Sequence, residues 1–294
     1  VIKRHESPLT QERYNAALDR WLAFCDNHRF EPVDPPVAIT AMFRAHLLKD
    51  LASGSTRTVL AGLSSIYKDL MRLEGGGVKF NPFHSAVLSW PKAPAKGKTP
   101  AVAHFEAEAI IATCKDGTRE GLRDEALLRL YYDIGGRRTA IVKSLRRDLQ
   151  EDPDSGMFLR FIVKGGREEA SSLPEATIEA LKTWLRIAPP SKFVFPELGH
   201  KPNRGDRSLN PYSVNRMIRK RAKQAGIARQ IHPHMFRARF ATDAYDSGMP
   251  EYEIQAAMHH RDPATTRSYD RNSRGLGVPN AVAALRAAKQ RSSR

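Results

Sequence analysis

Residues 91–100 read Pro-Lys-Ala-Pro-Ala-Lys-Gly-Lys-Thr-Pro, with three prolines, three lysines and no large apolar side chain. A hydrophobic core cannot be carried across such a stretch. Proline withholds an amide donor from any helix or ladder, and nothing apolar is present to reward burial. The chain is therefore expected to fold as two bodies joined by an extended tether. At 294 residues, each body has enough chain to bury a core of its own.

Before the tether the apolar residues recur at helical spacing. Tyr14, Leu18, Trp21, Leu22 and Cys25 form one stripe over 10–28, and Val37, Ile39, Met42, Phe43 and Leu47 form another after Pro35-Pro36. Ser55 is the expected cap of a third helix through Leu60, Leu63, Ile66, Leu70 and Met71, ending at Gly75-Gly76-Gly77. After the tether, helical patterns cover 105–114, 122–132 and 138–144. Two short strands, 157–164 and 168–173, follow around a Gly165-Gly166 turn. A helix over 174–187, a brief apolar piece at 192–196 and four more helices come next, with a last helix over 280–289. The fold class expected is mainly α with a small antiparallel β-sheet. The divisions expected are a helical domain over 1–90, the tether over 91–102, a second domain over 103–277 and a tail over 278–294.

Charge narrows the partners. Lys and Arg number 48 against 32 Asp and Glu, a net +16, which favours a polyanion. No run of about 18 apolar residues exists to span a membrane, and Val1-Ile2-Lys3-Arg4-His5 does not open a signal peptide. A cytoplasmic, nucleoid-associated protein is expected. Two cysteines, Cys25 and Cys114, each within an apolar helical pattern, are expected to be buried free thiols. With no CxxC, HExxH or Asp-rich calcium loop, neither a metal nor a cofactor is expected.

The residues that carry chemistry are Arg137, Lys164, His234, Arg237, His260 and Tyr269. They amount to a phenol and a set of cations, with no carboxylate pair or Ser/His couple beside them. Phosphodiester cleavage suits that inventory. The phosphodiester is already an anion, and its pentacoordinate transition state gains a second negative charge, so fixed donors around the non-bridging oxygens dominate catalysis. Arginine forks fit those oxygens and stay charged. A lysine can supply the proton that the departing 5′ oxygen needs. A phenol in such a cationic field is expected to become a better nucleophile. Asp262 and Pro263 form a good helix start, which places Tyr269 about two turns into the helix.

These residues also resemble a known family. His234-Met235-Phe236-Arg237 with Phe240-Ala241-Thr242 is similar to the HxLRHxFAT signature of the tyrosine recombinases, the phage integrase family. Met258-His259-His260 through Thr265-Thr266 and Tyr269 resembles its LGHxxxxTTxxY block, with thirty-two residues from Arg237 to Tyr269 and nine from His260. Gly135-Gly136-Arg137, with Asp148 downstream, resembles the first arginine box, and Val163-Lys164-Gly165-Gly166-Arg167 resembles the lysine-bearing turn. The first ninety residues and the tether resemble the core-binding domain of Cre- and Xer-like members.

The resemblance implies a C-shaped clamp on DNA and a metal- and ATP-independent enzyme. Arg137 and Arg237 would hold the scissile phosphate, and Lys164 would protonate the leaving oxygen. His234 would assist proton transfer at Tyr269, His260 would support the nucleophile side, and Tyr269 would form the 3′-phosphotyrosyl intermediate. Double-stranded DNA with inverted-repeat sites, bound by a homotetramer across two duplexes and passing through a Holliday junction, is the implied partner. The tail over 278–294 would dock on a neighbouring protomer, and the short stretch before Thr10 would carry no arm-binding extension. The alternatives are a type IB topoisomerase, a telomere resolvase, or a non-catalytic DNA-binding protein of the same fold. Ala140 stands where the family often carries Glu, so support for Arg137 must come from elsewhere. His232 and His259 fall outside the pattern and are read as surface or packing residues.

A further DNA signal lies in a helix expected to start at Ser213. Its Arg216, Arg219, Lys220 and Lys223 make one basic face, without an acid partner, opposite Val214, Met217 and Ile218. Lys92, Lys96 and Lys98 of the tether are expected to follow a phosphate backbone.

Overall fold

In the computed structural model, residues 8–73, 78–93, 99–153, 156–162, 168–198 and 207–270 are described. The chain divides into two units, 1–97 and 98–294. Lys164, Lys96, Lys98, the Gly75-Gly76-Gly77 stop, the Gly165-Gly166 turn and the tail over 278–294 lie outside the described residues.

The first unit is built on Trp21, which is fully buried. Its ring meets the edges of Phe43 and Phe83 at centroid distances of 5.1 and 5.0 Å, and its indole N–H donates to the Tyr67 hydroxyl at 3.0 Å. Three helices surround it: α1 (Pro8–His28), α2 (Val37–Asp50) and α3 (Ser53–Leu70). The buried stripe of α1 is Ala17, Trp21, Phe24 and Cys25, while Leu22, expected in the stripe, faces outward. Val37, Met42 and Met71 are likewise exposed. Gly62 lets α3 approach α1, since a Cβ there would come within 3.3 Å of Ala17 and Tyr14. The expected Ser55 cap is corrected. The helix begins at Ser53 after Ala52, which makes no side-chain cap, and Ser55 lies in its first turn. Burial of Thr56 against the core extends the helix past the residue that cap chemistry favours.

The second unit is organised around α5 (Arg119–Asp133), whose Leu127, Leu128, Leu130 and Tyr131 are fully buried. Packed on it are α4 (His104–Ala112), α6 (Arg138–Val142), α7 (Glu175–Ile187) and α9 (Pro233–Asp246). A three-stranded antiparallel sheet runs in the order β1 (Leu149–Asp152), β2 (Gly156–Ile162), β3 (Glu168–Ser172), with Leu149 opposite Leu159 and Phe161 opposite Glu169. The strand β1 is absent from the sequence reading because Leu-Gln-Glu-Asp offers one apolar residue and no alternation. The 192–196 segment threads between elements: Leu145 bridges Phe193, and the Trp184 indole donates to the Val194 carbonyl at 2.8 Å.

Then come α8 (Pro211–Gln224), α10 (Glu251–Ala257) and α11 (Pro263–Arg267). The start expected at Ser213 is corrected to Pro211, capped by the Asn210 side chain, because Asn at N-cap with Pro at N1 outweighs a serine. In the same helix, fully buried Arg221 pairs with Asp116 at 2.7 Å and Asp124 at 2.9 Å, tying α8 to α5. Asp262 caps α11 as expected, its carboxylate accepting from the Ala264 amide at 2.9 Å. The position of Tyr269 is corrected: α11 closes at Arg267, and Tyr269 lies just past it, its amide bonded to the Thr266 carbonyl at 3.0 Å.

Candidate active site

Gly135 bends the chain into the site. It holds φ +57, and a Cβ there would come within 2.7 Å of the Phe240 ring, so only glycine fits. Two residues later Arg137 forms the N-cap position of α6. From the other side, α9 delivers His234 and Arg237 from its first turns, and the turn between α10 and α11 delivers His259 and His260. These side chains and Tyr269 line one cavity of about 1210 Å³. Folding therefore gathers Arg137, His234, Arg237, His260 and Tyr269; of the six expected catalytic residues, Lys164 lies outside the described residues.

Hydrogen bonds fix each group. Arg237, only 3% exposed, donates to the Gly135 carbonyl, to the Met258 carbonyl at 2.5 Å and to Nε2 of His260 at 2.8 Å. His260 must then carry its proton on Nδ1, which lies 2.9 Å from the Thr266 hydroxyl. Its ring stacks on Tyr269 at 5.8 Å with planes 7° apart. The Tyr269 hydroxyl is 3.1 Å from Nε2 of His234. Arg137 donates to the His259 carbonyl at 2.9 Å. Where Ala140 provides no carboxylate, support for the two arginines thus comes from backbone carbonyls.

Electrostatics overturn one expectation. Burial raises the Tyr269 phenol above its ordinary value; the charges of Arg237 and Arg137 pull it down without winning. Desolvation of the phenolate exceeds the pull of the two guanidinium charges. Burial, then Arg237 and other neighbours, lowers His234. The same causes hold His260 down to about 3, and burial with Arg137 brings Arg237 to about 10. Both imidazoles thus favour the neutral form near pH 7, and in the tautomer with its proton on Nδ1 His234 accepts the phenolic proton at Nε2.

The cavity also includes residues the motif reading left out: Arg138, Lys143, Arg147, Arg160 and Asn215. Lys143 is exposed just past the end of α6, and Arg138 stacks over the exposed Tyr212 ring at 5.4 Å. Their signal was available as basic residues close behind Arg137. The reading of His259 and His232 is also refined, since both line the cavity. On α8, Arg216, Arg219, Lys220 and Lys223 are all exposed and Val214, Met217 and Ile218 buried, as the spacing requires. The stripe is not free of acids, however: Arg216 and Lys220 share a shallow cleft with Glu120, Asp124 and Glu197. Lys92 is exposed in the first unit.

Residues 101–275 match the model of the phage integrase family. The chain belongs to that family. Tyrosine recombinase XerC of Xanthomonas campestris pv. campestris (strain B100) is 29% identical over 273 residues, covering 91% of this chain and 80% of the relative. Among solved structures, the XerH site-specific recombinase bound to palindromic difH substrate, in a post-cleavage complex, aligns with a TM-score of 0.71 at 16% identity, covering 89% of this chain and 76% of that one. A lambda integrase tetramer bound to a Holliday junction aligns with a TM-score of 0.63 at 15% identity, covering 89% and 74%. Membership makes this integrase-family protein a DNA strand-exchange enzyme of the tyrosine-recombinase type. Site-specific recombination, rather than supercoil relaxation, telomere resolution or passive DNA binding, is its activity. Among the described residues no helix is long and apolar enough to cross a membrane.

Proposed function

We propose that Tyr269 is the nucleophile of a metal- and ATP-independent cleavage and rejoining of DNA. The observation that carries this reading is the contact of its hydroxyl with His234 in the cavity where Arg137 and Arg237 converge. The phenol proton passes to Nε2 of His234 as the phenolic oxygen attacks phosphorus. The bond to the 5′ oxygen breaks, and that oxygen takes a proton from Lys164. A 3′-phosphotyrosyl ester remains, which preserves the bond energy for religation. Arg137 and Arg237 neutralise the non-bridging oxygens. His260 holds Arg237 in place and presents its flat face to the phenol.

The first unit and the Pro-rich stretch act as core-binding domain and tether for the catalytic domain over 103–277. Arg216, Arg219, Lys220, Lys223, Lys92, Lys96 and Lys98 contact the duplex. The substrate is double-stranded DNA with inverted repeats, held by a homotetramer, and the tail over 278–294 docks on a neighbouring protomer. The setting is the cytoplasm, at the nucleoid.

The test is covalent trapping. A pool of degenerate duplexes, each nicked so that the cleaved fragment escapes, is incubated with the protein and run on a denaturing gel. Wild type is expected to yield a protein–DNA band, and Tyr269→Phe to bind DNA without one. A band from the phenylalanine variant overturns the assignment.

A further inference from the structure

The turn that follows α10 has an unusual occupant. The His259 amide bonds to the Ala256 carbonyl at 2.8 Å and the His260 amide to the Gln255 carbonyl at 3.0 Å. This is the Schellman closure of a helix end, whose left-handed position normally takes glycine. Here that position is His259, with φ 50. The LGHxxxxTTxxY pattern also carries glycine there. An L side chain in this conformation persists where surrounding contacts over-determine it.

Those contacts are present. His259 is 6% exposed. Its Nδ1 lies 3.3 Å from a carboxylate oxygen of Glu169 on β3, and its Nε2 lies 3.4 Å from the Ser171 hydroxyl on the same strand. Phe161 on β2 meets the ring edge to face at 4.7 Å. The His259 carbonyl accepts from the Arg137 guanidinium at 2.9 Å. One residue thus joins the sheet to the arginine that lacks a carboxylate at position 140.

We propose that His259 is a positioning residue for strand cleavage: anchored to Glu169 and Phe161, its side chain sets the direction of its own carbonyl, and through that carbonyl the fork of Arg137. The inference rests on Arg137 binding the scissile phosphate, as argued above. It assigns to β3 a part in aligning the arginine. Burial lowers the His259 imidazole against the pull of Glu169, with Arg237 and Arg137 adding to the lowering. A neutral ring keeps Nδ1 facing the Glu169 carboxylate at 3.3 Å and Nε2 facing the Ser171 hydroxyl at 3.4 Å, so the anchor does not need a charged imidazole.

The test compares His259→Gly, His259→Asn, Glu169→Ala and the double variant His259→Gly/Glu169→Ala. Glycine and asparagine both tolerate the left-handed backbone, so helix closure is held constant and only the side-chain anchor changes. Single-turnover adduct formation on the nicked duplex pool is read beside binding of the same pool by mobility shift. His259→Gly is expected to bind within about twofold of wild type and to cleave roughly 10–100-fold more slowly, the range expected when a phosphate clamp is misplaced by about an ångström. His259→Asn, whose amide can reach Glu169, should recover a large part of the loss. Adding Glu169→Ala to His259→Gly should cost nothing further, because the two act as one unit. Wild-type cleavage by His259→Gly, equal loss of binding and cleavage, no recovery with asparagine, or full additivity each overturns the proposal. Arg137→Ala and Tyr269→Phe run alongside: if either still forms the adduct, the underlying reading of the site has failed instead.

Discussion

Arg237 donates to Nε2 of His260 at 2.8 Å, and the opposite ring nitrogen of His260 is satisfied by Thr266 at 2.9 Å. The imidazole therefore orients a buried guanidinium and cannot serve as a proton donor at its Arg237 face. Replacing His260 with alanine should leave DNA binding nearly intact and slow adduct formation by about 10–100-fold, the scale of losing a hydrogen bond that orients a charged ligand-binding group. Unchanged cleavage on the nicked pool would refute this role.

Acid should destabilise the second unit. His260 titrates ordinarily near 6.5 but is held to about 3 in the fold. The unfolded chain therefore takes up a proton at a pH where the folded one does not, so the contribution is complete above about 6.5 and is lost as pH falls toward 3. Thermal melts between pH 7 and 4 should show the loss, with a shallower slope for His260→Gln. Equal slopes would count against it.

Because burial raises Tyr269 while His234 is lowered, the pH dependence of cleavage should follow the histidine. Single-turnover rates should rise through the region below pH 6.5 and level off near neutrality. His234→Ala should lose about 10²–10⁴-fold, the range for a general base, and its rate should keep rising into the alkaline range. A profile identical to wild type would exclude His234 as the base.

Gly135→Ala would place a methyl against Phe240 at a φ of +57 and push on the carbonyl that receives Arg237. The left-handed backbone alone costs about 1–2 kcal/mol, so both thermal stability and cleavage should fall. A variant that melts and cleaves like wild type would show that the bend has another origin.

Arg221→Ala should destabilise without touching the cavity. It removes one of the two arginine partners of Asp124, whose side chain is 3% exposed, and Arg123 remains at 2.6 Å, so the loss should fall below the roughly 3–5 kcal/mol of a buried pair broken outright. Urea unfolding of the full chain reads this directly. Arg221→Lys should rescue little, since one ammonium cannot meet Asp124, Asp116 and the Thr113 carbonyl together.

The resemblance to the family boxes singled out Tyr269, Arg137, Arg237, His234 and His260, which line one cavity in the fold, because each box is local in sequence. Helical periodicity likewise located nearly every helix, since it records which face must be buried. Other features were decided only by the tertiary structure. The second arginine is held by carbonyls from Gly135 and Met258, and the first by that of His259. Carbonyl direction depends on where distant turns meet, and residue type does not encode it. Whether the phenol is raised or lowered was also beyond the sequence, because desolvation and the guanidinium charges act in opposite directions and their balance depends on burial in the folded site. His259 looked like a bystander for the same reason: its partners Glu169 and Phe161 are far away in the chain and become neighbours only when the sheet packs beside the α10–α11 turn.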